Sequence, residues 1–314
     1  MDIFWWPSQS PPDLESTVAT LGTFDGVHRA HQKILNEVVK EAHARSTTGV
    51  AITVDAPPAA LLGESHEPTL TSVHHRARLL GRLGIDCCMV IEFTEDVARI
   101  EAPEFVRRVL CDTLGVELLI LGFDSHFGKG RQGNAELCRR MGQDLGFDVR
   151  TIPPVKIDDE VISSSNIRRA IMDGNMRRAA RLLGRPYALL GTVVHGDGRG
   201  HSLGYPTMNL SVQDELLPPA GVYAARVRED DRLLDSVASV GRRITFHSED
   251  SDTVVEAHVL DEQRDFYGTE VELELVEKIR PQQRFRSAEH LADKIAEDVA
   301  RTRAILAEAG PDLD

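Results

Sequence analysis

His28 and His31 stand three residues apart in Gly22-Thr23-Phe24-Asp25-Gly26-Val27-His28-Arg29-Ala30-His31, and that spacing suits chemistry. Apolar Val18 to Leu21 reads as a strand, the glycines as a tight turn, and His31 to Lys40 as a helix with Ile34, Leu35, Val38 and Val39 apolar. A helix N-terminus carries unpaired N–H groups and a partial positive charge. Two imidazoles placed there can stabilise negative charge growing on a phosphate, with no nucleophile needed. A metal held by the same pair is the rival reading, but no third ligand of suitable type is close in sequence, His43 lying twelve residues beyond His31.

A second candidate lies in Gly196-Asp197-Gly198-Arg199-Gly200 followed by Leu203-Gly204-Tyr205-Pro206-Thr207-Met208-Asn209-Leu210. Glycine-rich turns let backbone amides approach an anion, while Thr207 and Asn209 can offer a hydroxyl and a carbonyl oxygen to a hard cation such as Mg2+. Clusters of glycine and proline between apolar runs also occur as plain turns. Further on, Val255, Ala257 and Val259 alternate with Glu256 and His258, so a strand there puts Glu256 and His258 on one face. An exposed strand glutamate is the plain alternative.

The elements that must position these residues change character along the chain. In the first half, strands expected at Val18–Leu21, Val50–Val54, Cys87–Ile91, Leu118–Leu121 and Asp148–Ile152 alternate with helices at His31–Arg45, Ser72–Leu83, Ala102–Leu114 and Asn134–Leu145. That alternation predicts an α/β domain, a parallel Rossmann-like sheet with helices on both faces and sites at the C-terminal ends of its strands. Short helices at Ile167–Met172 and Met176–Leu183 follow, and Arg185-Pro186 breaks the pattern, dividing the chain into residues 1–185 and 186–314. Consecutive strands then predict an antiparallel sheet or small β-barrel, at Ala188–Val194, Gly221–Arg228, Leu233–Val240, Thr253–Leu260 and Glu270–Ile279. A final helix opens at Ser287 and runs to Leu306.

Composition narrows the class of partner. A chain of 314 residues, 41% hydrophobic, can furnish two cores. Its net charge of −14 opposes binding to nucleic acid or acidic lipid, so any phosphate site is local. Cys87, Cys88, Cys111 and Cys138 lack C-x-x-C spacing and read as buried thiols. Trp5 and Trp6 precede a Ser-Pro-rich stretch without a basic segment or long apolar core, which fits neither a signal peptide nor an anchor. A cytoplasmic enzyme is the expectation.

The residues above resemble the prokaryotic bifunctional riboflavin kinase/FAD synthetase family, from about residue 15 to residue 305. The His28 segment is similar to the family's G-x-F-D-G-x-H-x-G-H adenylyltransferase motif, and Gly204 to Asn209 to its kinase motif G-F-P-T-A-N. Similar segments follow in the family's order: Gly122-Phe123-Asp124 with Phe127 to Arg131, Ile162 to Arg168, Leu183 to Tyr187, Leu217-Pro218-Pro219 with Gly221-Val222-Tyr223, and Val255 to His258. The resemblance implies a nucleotidyltransferase domain and a six-stranded riboflavin-kinase barrel with a C-terminal helix. It implies MgATP-dependent conversion of riboflavin to FMN and of FMN to FAD, with riboflavin, FMN and ATP as the small-molecule partners.

Residue by residue, it assigns Glu256 as the kinase base, and His28 and His31 to the departing pyrophosphate. Gly22, Phe24, Ser164, Arg168, Gly196, Gly198 and Gly200 fall to ATP, Thr207 and Asn209 to Mg2+, and Asp25 and Asp124 to the flavin or a metal; Arg280 and Phe285, near the last barrel strand and the final helix, are expected to contact the flavin. Lys129 and Arg131 are expected on a mobile phosphate-binding loop or a merely solvated one. Departures fall in both sites: Ala30 replaces glycine, Pro57 a histidine, Ser125 an aromatic and Met208 alanine, and Ser239 to Phe246 diverges from an N-I-G-x-R-P-T-F-like run. Two other readings therefore stand beside the bifunctional one. One is a riboflavin kinase with a weak or altered adenylyltransferase site, and the other a non-catalytic flavin- or nucleotide-binding regulatory protein. The sequence leaves the oligomeric state open.

Overall fold

The structure, a computed structural model, describes residues 1–55, 68–196, 205–242, 253–262, 264–283 and 285–310. The chain packs as two units, Met1–Glu67 with Val73–Ile162, and Pro68–Ser72 with Ser163–Asp314.

The first unit is a parallel sheet of β1 (Asp2–Trp6), β2 (Thr17–Leu21), β3 (Thr48–Val54), β4 (Cys87–Ile91), β5 (Val116–Gly122) and β6 (Asp148–Ile152). Their spatial order is β1-β4-β3-β2-β5-β6. Both faces are covered, so the inner strands are mostly apolar rather than alternating, with a few buried threonines such as Thr20 and Thr53. Val18 faces a core with Leu35 and Val38 of α1 (Arg29–Arg45) and Leu79 and Leu80 of α2 (Val73–Arg82). Its neighbour Ala19 faces the opposite core, with Val106, Val109, Leu110 and Cys138. α3 (Glu95–Ala98), α4 (Ala102–Phe105) with a π-helical continuation over Val106–Thr113, and α5 (Ala135–Leu145) complete the unit, with a small hairpin of β7 (Lys156–Ile157) and β8 (Glu160–Val161). Burial pushes the Cys87, Cys88 and Cys138 thiols up to about 12, which leaves them inert as nucleophiles.

The expected strands and helices recur with ends shifted by one or two residues in most cases. Apart from the two-residue strands β7 and β8, which no expectation covered, two strands were not legible. β1 is an edge strand whose pairing with β4 nothing in Asp2–Trp6 signals. The second is β10, described next.

The second unit is a closed antiparallel barrel of β9 (Tyr187–Val194), β10 (Met208–Val212), β11 (Gly221–Glu229), β12 (Arg232–Arg242), β13 (Thr253–Val259) and β14 (Glu270–Arg280). β10 lies inside the stretch that reads as a glycine- and proline-rich loop, and it closes the barrel between β9 and β13. α6 (Ser164–Met172) and α7 (Met176–Leu183) belong to this unit, α7 lying against β9 and β14. α8 (Ala288–Ala309) covers Val222, Ala224, Val276 and Ile279 with Ile305 and Leu306.

Pro68–Ser72 joins the barrel unit through Glu215. Leu216 N donates to Thr69 O at 2.7 Å and Thr69 Oγ1 to Asp214 O at 2.6 Å. The Glu215 carboxylate, 6% exposed, accepts from Ser72 N (2.9 Å), Ser72 Oγ (3.0 Å) and Leu190 N (2.9 Å). Removing a buried acceptor strands its donors, so Glu215→Ala should cost roughly 3 kcal/mol. Urea denaturation of the intact chain measures this, and a cost below about 0.5 kcal/mol would show that the carboxylate does not hold the segment.

Candidate active sites

β2 sits between β3 and β5, so connections from the C-terminal ends of β2 and β5 leave on opposite sides, the arrangement that opens a crevice in such sheets. The β2 loop is tightly wound. Gly22 N donates to Ile52 O at 3.0 Å, and Phe24 (φ 48°), Gly26 (φ 79°) and Val27 (φ 40°) are left-handed. A β-branched residue in that region is strained and persists only where its surroundings over-determine it. Here Val27 N donates to Phe24 O at 3.0 Å, Gln32 Nε2 donates to Val27 O at 2.9 Å, and both Phe24 and Val27 are 1% exposed. The Phe24 ring therefore supports the loop from the core.

This winding delivers His28 to the N-cap of α1, where its Nδ1 accepts from His31 N at 3.3 Å. An accepting Nδ1 carries no hydrogen, so the neutral ring holds its proton on Nε2. The two imidazoles stack, with centroids 3.6 Å apart and planes 15° from parallel, and Phe24 meets His31 edge-on at 5.2 Å. Burial, then His28, then the Arg76 guanidinium hold His31 well below the usual histidine range. The pair thus presents neutral rings with N–H groups rather than two cations. Ala30 is half-buried in the right-handed first turn of α1, where backbone geometry accepts an alanine.

After β5, a turn closes with Ser125 N donating to Gly122 O at 3.2 Å, and His126 Nδ1 donates to Asp124 O at 2.8 Å. A Cβ on Gly122 would lie 3.4 Å from Ile34 Cδ1, so this turn rests against α1. Asp124 is exposed at the turn, and Asp25 is 5% exposed. The Lys129 loop makes several contacts to the segment around Glu101. Lys129 N donates to Ile100 O at 2.9 Å, its ammonium pairs with Glu101 at 2.9 Å, and a Cβ on Gly128 would fall 2.8 Å from Ala102 Cα.

Ser164 and Arg168 belong to the second unit. Ser163 caps α6 by accepting from Asn166 N at 3.3 Å, which places Ser164 in its first turn, and Arg168 Nε donates to Pro68 O at 3.2 Å.

In the barrel, Asn209 is in register with Glu256 on one side and Val194 on the other. Directly opposed residues of antiparallel strands share a face, so Asn209 and Glu256 point the same way. Val255, Ala257 and Val259 are buried on the other face, as their alternation predicts. Met208 pairs with Ala257 there and is 7% exposed, so the methionine that departs from the family motif packs away from Asn209. Asn209 is itself 7% exposed, and its Oδ1 is buried without a hydrogen-bond partner. A Cβ on Gly196 would lie 2.0 Å from Asn209 Nδ2, so only glycine fits there.

A carbonyl only accepts, so His258 Nδ1 donates to Pro206 O, at 2.8 Å, and the Tyr205 ring packs edge-on at 5.5 Å. These contacts fix the backbone beside Thr207. Arg280 forms a two-pronged pair with buried Asp298, at 3.0 and 2.7 Å, and its guanidinium lies 5.6 Å from the Phe285 ring. That pair ties β14 to α8 and occupies the guanidinium expected on the flavin. Gly198, Gly200, Gly204, Pro57 and residues 243–246 lie outside the described residues.

Sequence reasoning missed Arg76, Thr53 and the anchoring bond of His258. For Arg76 a signal existed, since it falls three and four residues before Leu79 and Leu80 on the apolar stripe of α2. Among the described residues, no three His, Cys, Asp or Glu gather as a metal cage, and no helix is long and apolar enough to cross a membrane.

The cap can be tested without reference to activity. His28→Ala should lower stability by about 1 kcal/mol and His28→Asn should restore most of it. His31 adds a pH dependence: with its folded-state pKa lowered, the unfolded chain takes up a proton that the folded chain does not, so its contribution falls as pH drops through the ordinary histidine range. Denaturation midpoints of both variants across that range are the measurement, and equal stability of His28→Ala and the native chain would remove the cap from the account.

Comparison with known proteins matches both halves of the chain. An FAD synthetase family model matches residues 10–166 and a riboflavin kinase model residues 183–306. The bifunctional riboflavin kinase/FMN adenylyltransferase of Escherichia coli (strain K12) is 34% identical over 298 residues, covering 94% of each chain. The protein of that name from Listeria monocytogenes serovar 1/2a is 34% identical over 293 residues, covering 92% of each. A crystal structure from Streptococcus pneumoniae, described as a macrolide-efflux protein, superposes with a TM-score of 0.82 at 29% identity, covering 96% of this chain and 99% of the other. The fold, both motif regions and this full-length similarity agree that the chain belongs to the bifunctional riboflavin kinase/FMN adenylyltransferase family.

Proposed function

We propose residue roles for the two reactions of this family: transfer of the ATP γ-phosphoryl group to riboflavin, giving FMN, and transfer of AMP from ATP to FMN, giving FAD. The observation that carries the kinase assignment is the register that sets Asn209 directly opposite Glu256. Glu256 takes the proton of the ribityl hydroxyl as that oxygen attacks the γ-phosphorus, and the bond from this phosphorus to the ADP oxygen breaks. Mg2+ fits the residues present, because Asn209 offers a buried carbonyl oxygen with no hydrogen-bond partner and Thr207 a hydroxyl, both hard donors. When bound, Mg2+ offsets phosphate charge as it builds on the leaving group. Gly196 leaves room for Asn209, and His258 holds the Pro206 carbonyl.

For adenylyl transfer, an FMN phosphate oxygen attacks the α-phosphorus of ATP and pyrophosphate leaves. His28 and His31, at the positive end of α1, donate N–H groups to the phosphates, and stabilisation grows as charge moves onto the leaving group. Asp124 and Asp25 remain candidates for orienting the flavin. Residues 1–185 are assigned to this reaction and 186–314 to phosphorylation, in the cytoplasm, where the small-molecule substrates occur.

Glu256→Gln should keep riboflavin binding, read by flavin fluorescence, yet slow FMN formation by roughly two orders of magnitude or more. Turnover at the native rate would remove Glu256 as the base.

Ala30 separates a full from a weakened adenylyltransferase. Its methyl is half-buried at the first turn of α1, and displacement of a reacting phosphate by about an ångström can cost on the order of a hundredfold in rate. FAD formation should therefore be slow in the native chain and rise in Ala30→Gly, as product chromatography after incubation with FMN and MgATP would show. Efficient native FAD formation, unchanged by the substitution, would show that the methyl is tolerated.

A further inference from the structure

Arg76 lies on α2, outside every motif above, and is 3% exposed. Its Nη1 donates to Thr53 Oγ1 at 2.8 Å and to Val54 O at 2.9 Å, at the C-terminal end of β3. Thr53, 1% exposed, donates a hydrogen bond from its Oγ1 to Thr23 O at 2.9 Å. The direction of this relay is fixed, because a guanidinium only donates and a carbonyl only accepts. Thr23 O belongs to the peptide plane between Thr23 and Phe24. Its orientation sets the Phe24 φ of 48°, a left-handed value that an aromatic residue adopts only when held there. Phe24 in turn packs edge-on against His31.

We infer that Arg76 is a positioning residue for adenylyl transfer: through Thr53 it fixes the Thr23–Phe24 peptide, and with it the seat of the His31 ring. The inference rests on the adenylyl-transfer role of His28 and His31. An independent effect works in the same direction. Burial already keeps the His31 ring neutral, and the Arg76 guanidinium on α2 is a fixed positive charge that disfavours its protonation further. One guanidinium thus fixes the place of this imidazole and adds to the burial that keeps it neutral, from behind the loop rather than by touching the nucleotide. Lysine in its place would keep the charge but not the rigid guanidinium that holds one nitrogen, Nη1, between Thr53 and Val54.

The test compares Arg76→Met, Arg76→Lys, Thr53→Val and Thr53→Ser in the full chain, with FMN formation from riboflavin as an internal control of folding. Arg76→Met and Thr53→Val should each lower kcat for FAD formation by roughly tenfold or more, with KM for ATP changed by less than about threefold, as expected for lost positioning. The double variant should be no worse than Arg76→Met, because both residues act through one relay. Thr53→Ser keeps the hydroxyl and should retain near-native kcat.

Only the loss of the Arg76 charge should move the acid limb of the kcat profile, and the His31 titration followed by NMR, to higher pH. Thr53→Val and Arg76→Lys should leave it in place. Near-native FAD formation by Arg76→Met, fully additive losses, or a parallel loss of FMN formation would each overturn the inference. If the native chain makes FMN but no FAD, the adenylyl-transfer role fails. The NMR titration then decides separately whether Arg76 governs His31.

Discussion

A histidine can cap a helix only while its Nδ1 keeps an open lone pair, and in this protein the start of α1 is capped by His28 in that way. Nearby features follow from that bond. It fixes the tautomer of His28, stacks its ring on His31, and directs α1 from the C-terminal end of β2, where the positive end of a helix dipole favours a phosphate. The loop leading to the cap pays in backbone strain, with Phe24 and Val27 both left-handed. Burial of both side chains and hydrogen bonds from Val27, Gln32 and Thr53 hold the loop in that shape.

The barrel half depends on an analogous constraint, expressed through strand register instead of a cap. A shift of β10 by one residue against β13 would put Met208 where Asn209 stands and separate the carbonyl oxygen from Glu256. Two contacts oppose such a shift. Gly196 admits the Asn209 side chain at a distance that no Cβ allows, and His258 binds the Pro206 carbonyl just ahead of the strand. Within this unit, Arg280 serves the frame: its pairing with Asp298 fastens α8 to the end of β14.

Departures from the family motifs take on different meanings once placed. Met208 packs on the face opposite Asn209, beside Ala257, where a larger apolar side chain adds contact without approaching Asn209. Ala30 sits in ordinary helical backbone, so any effect of its methyl is on the ligand and not on the fold. Lys129, by contrast, keeps the residue type of the motif while its ammonium is engaged by Glu101.

The sequence by itself determined the alternation of strands and helices in the first half, the change to consecutive strands after Pro186, the helix behind His28, and the shared face of Glu256 and His258. These are local properties: hydrophobic period, turn residues and capping chemistry act over a few residues and can be read in order along the chain. Tertiary structure alone decided that β1 adds to β4, that a glycine- and proline-rich stretch supplies β10, and that α6 and α7 pack with the barrel unit. It also decided that Arg280 meets Asp298, and that Arg76 reaches Thr53. Each of these pairs residues distant in sequence, and a side chain's partner across such a separation is set by sheet register and packing, which no local pattern encodes.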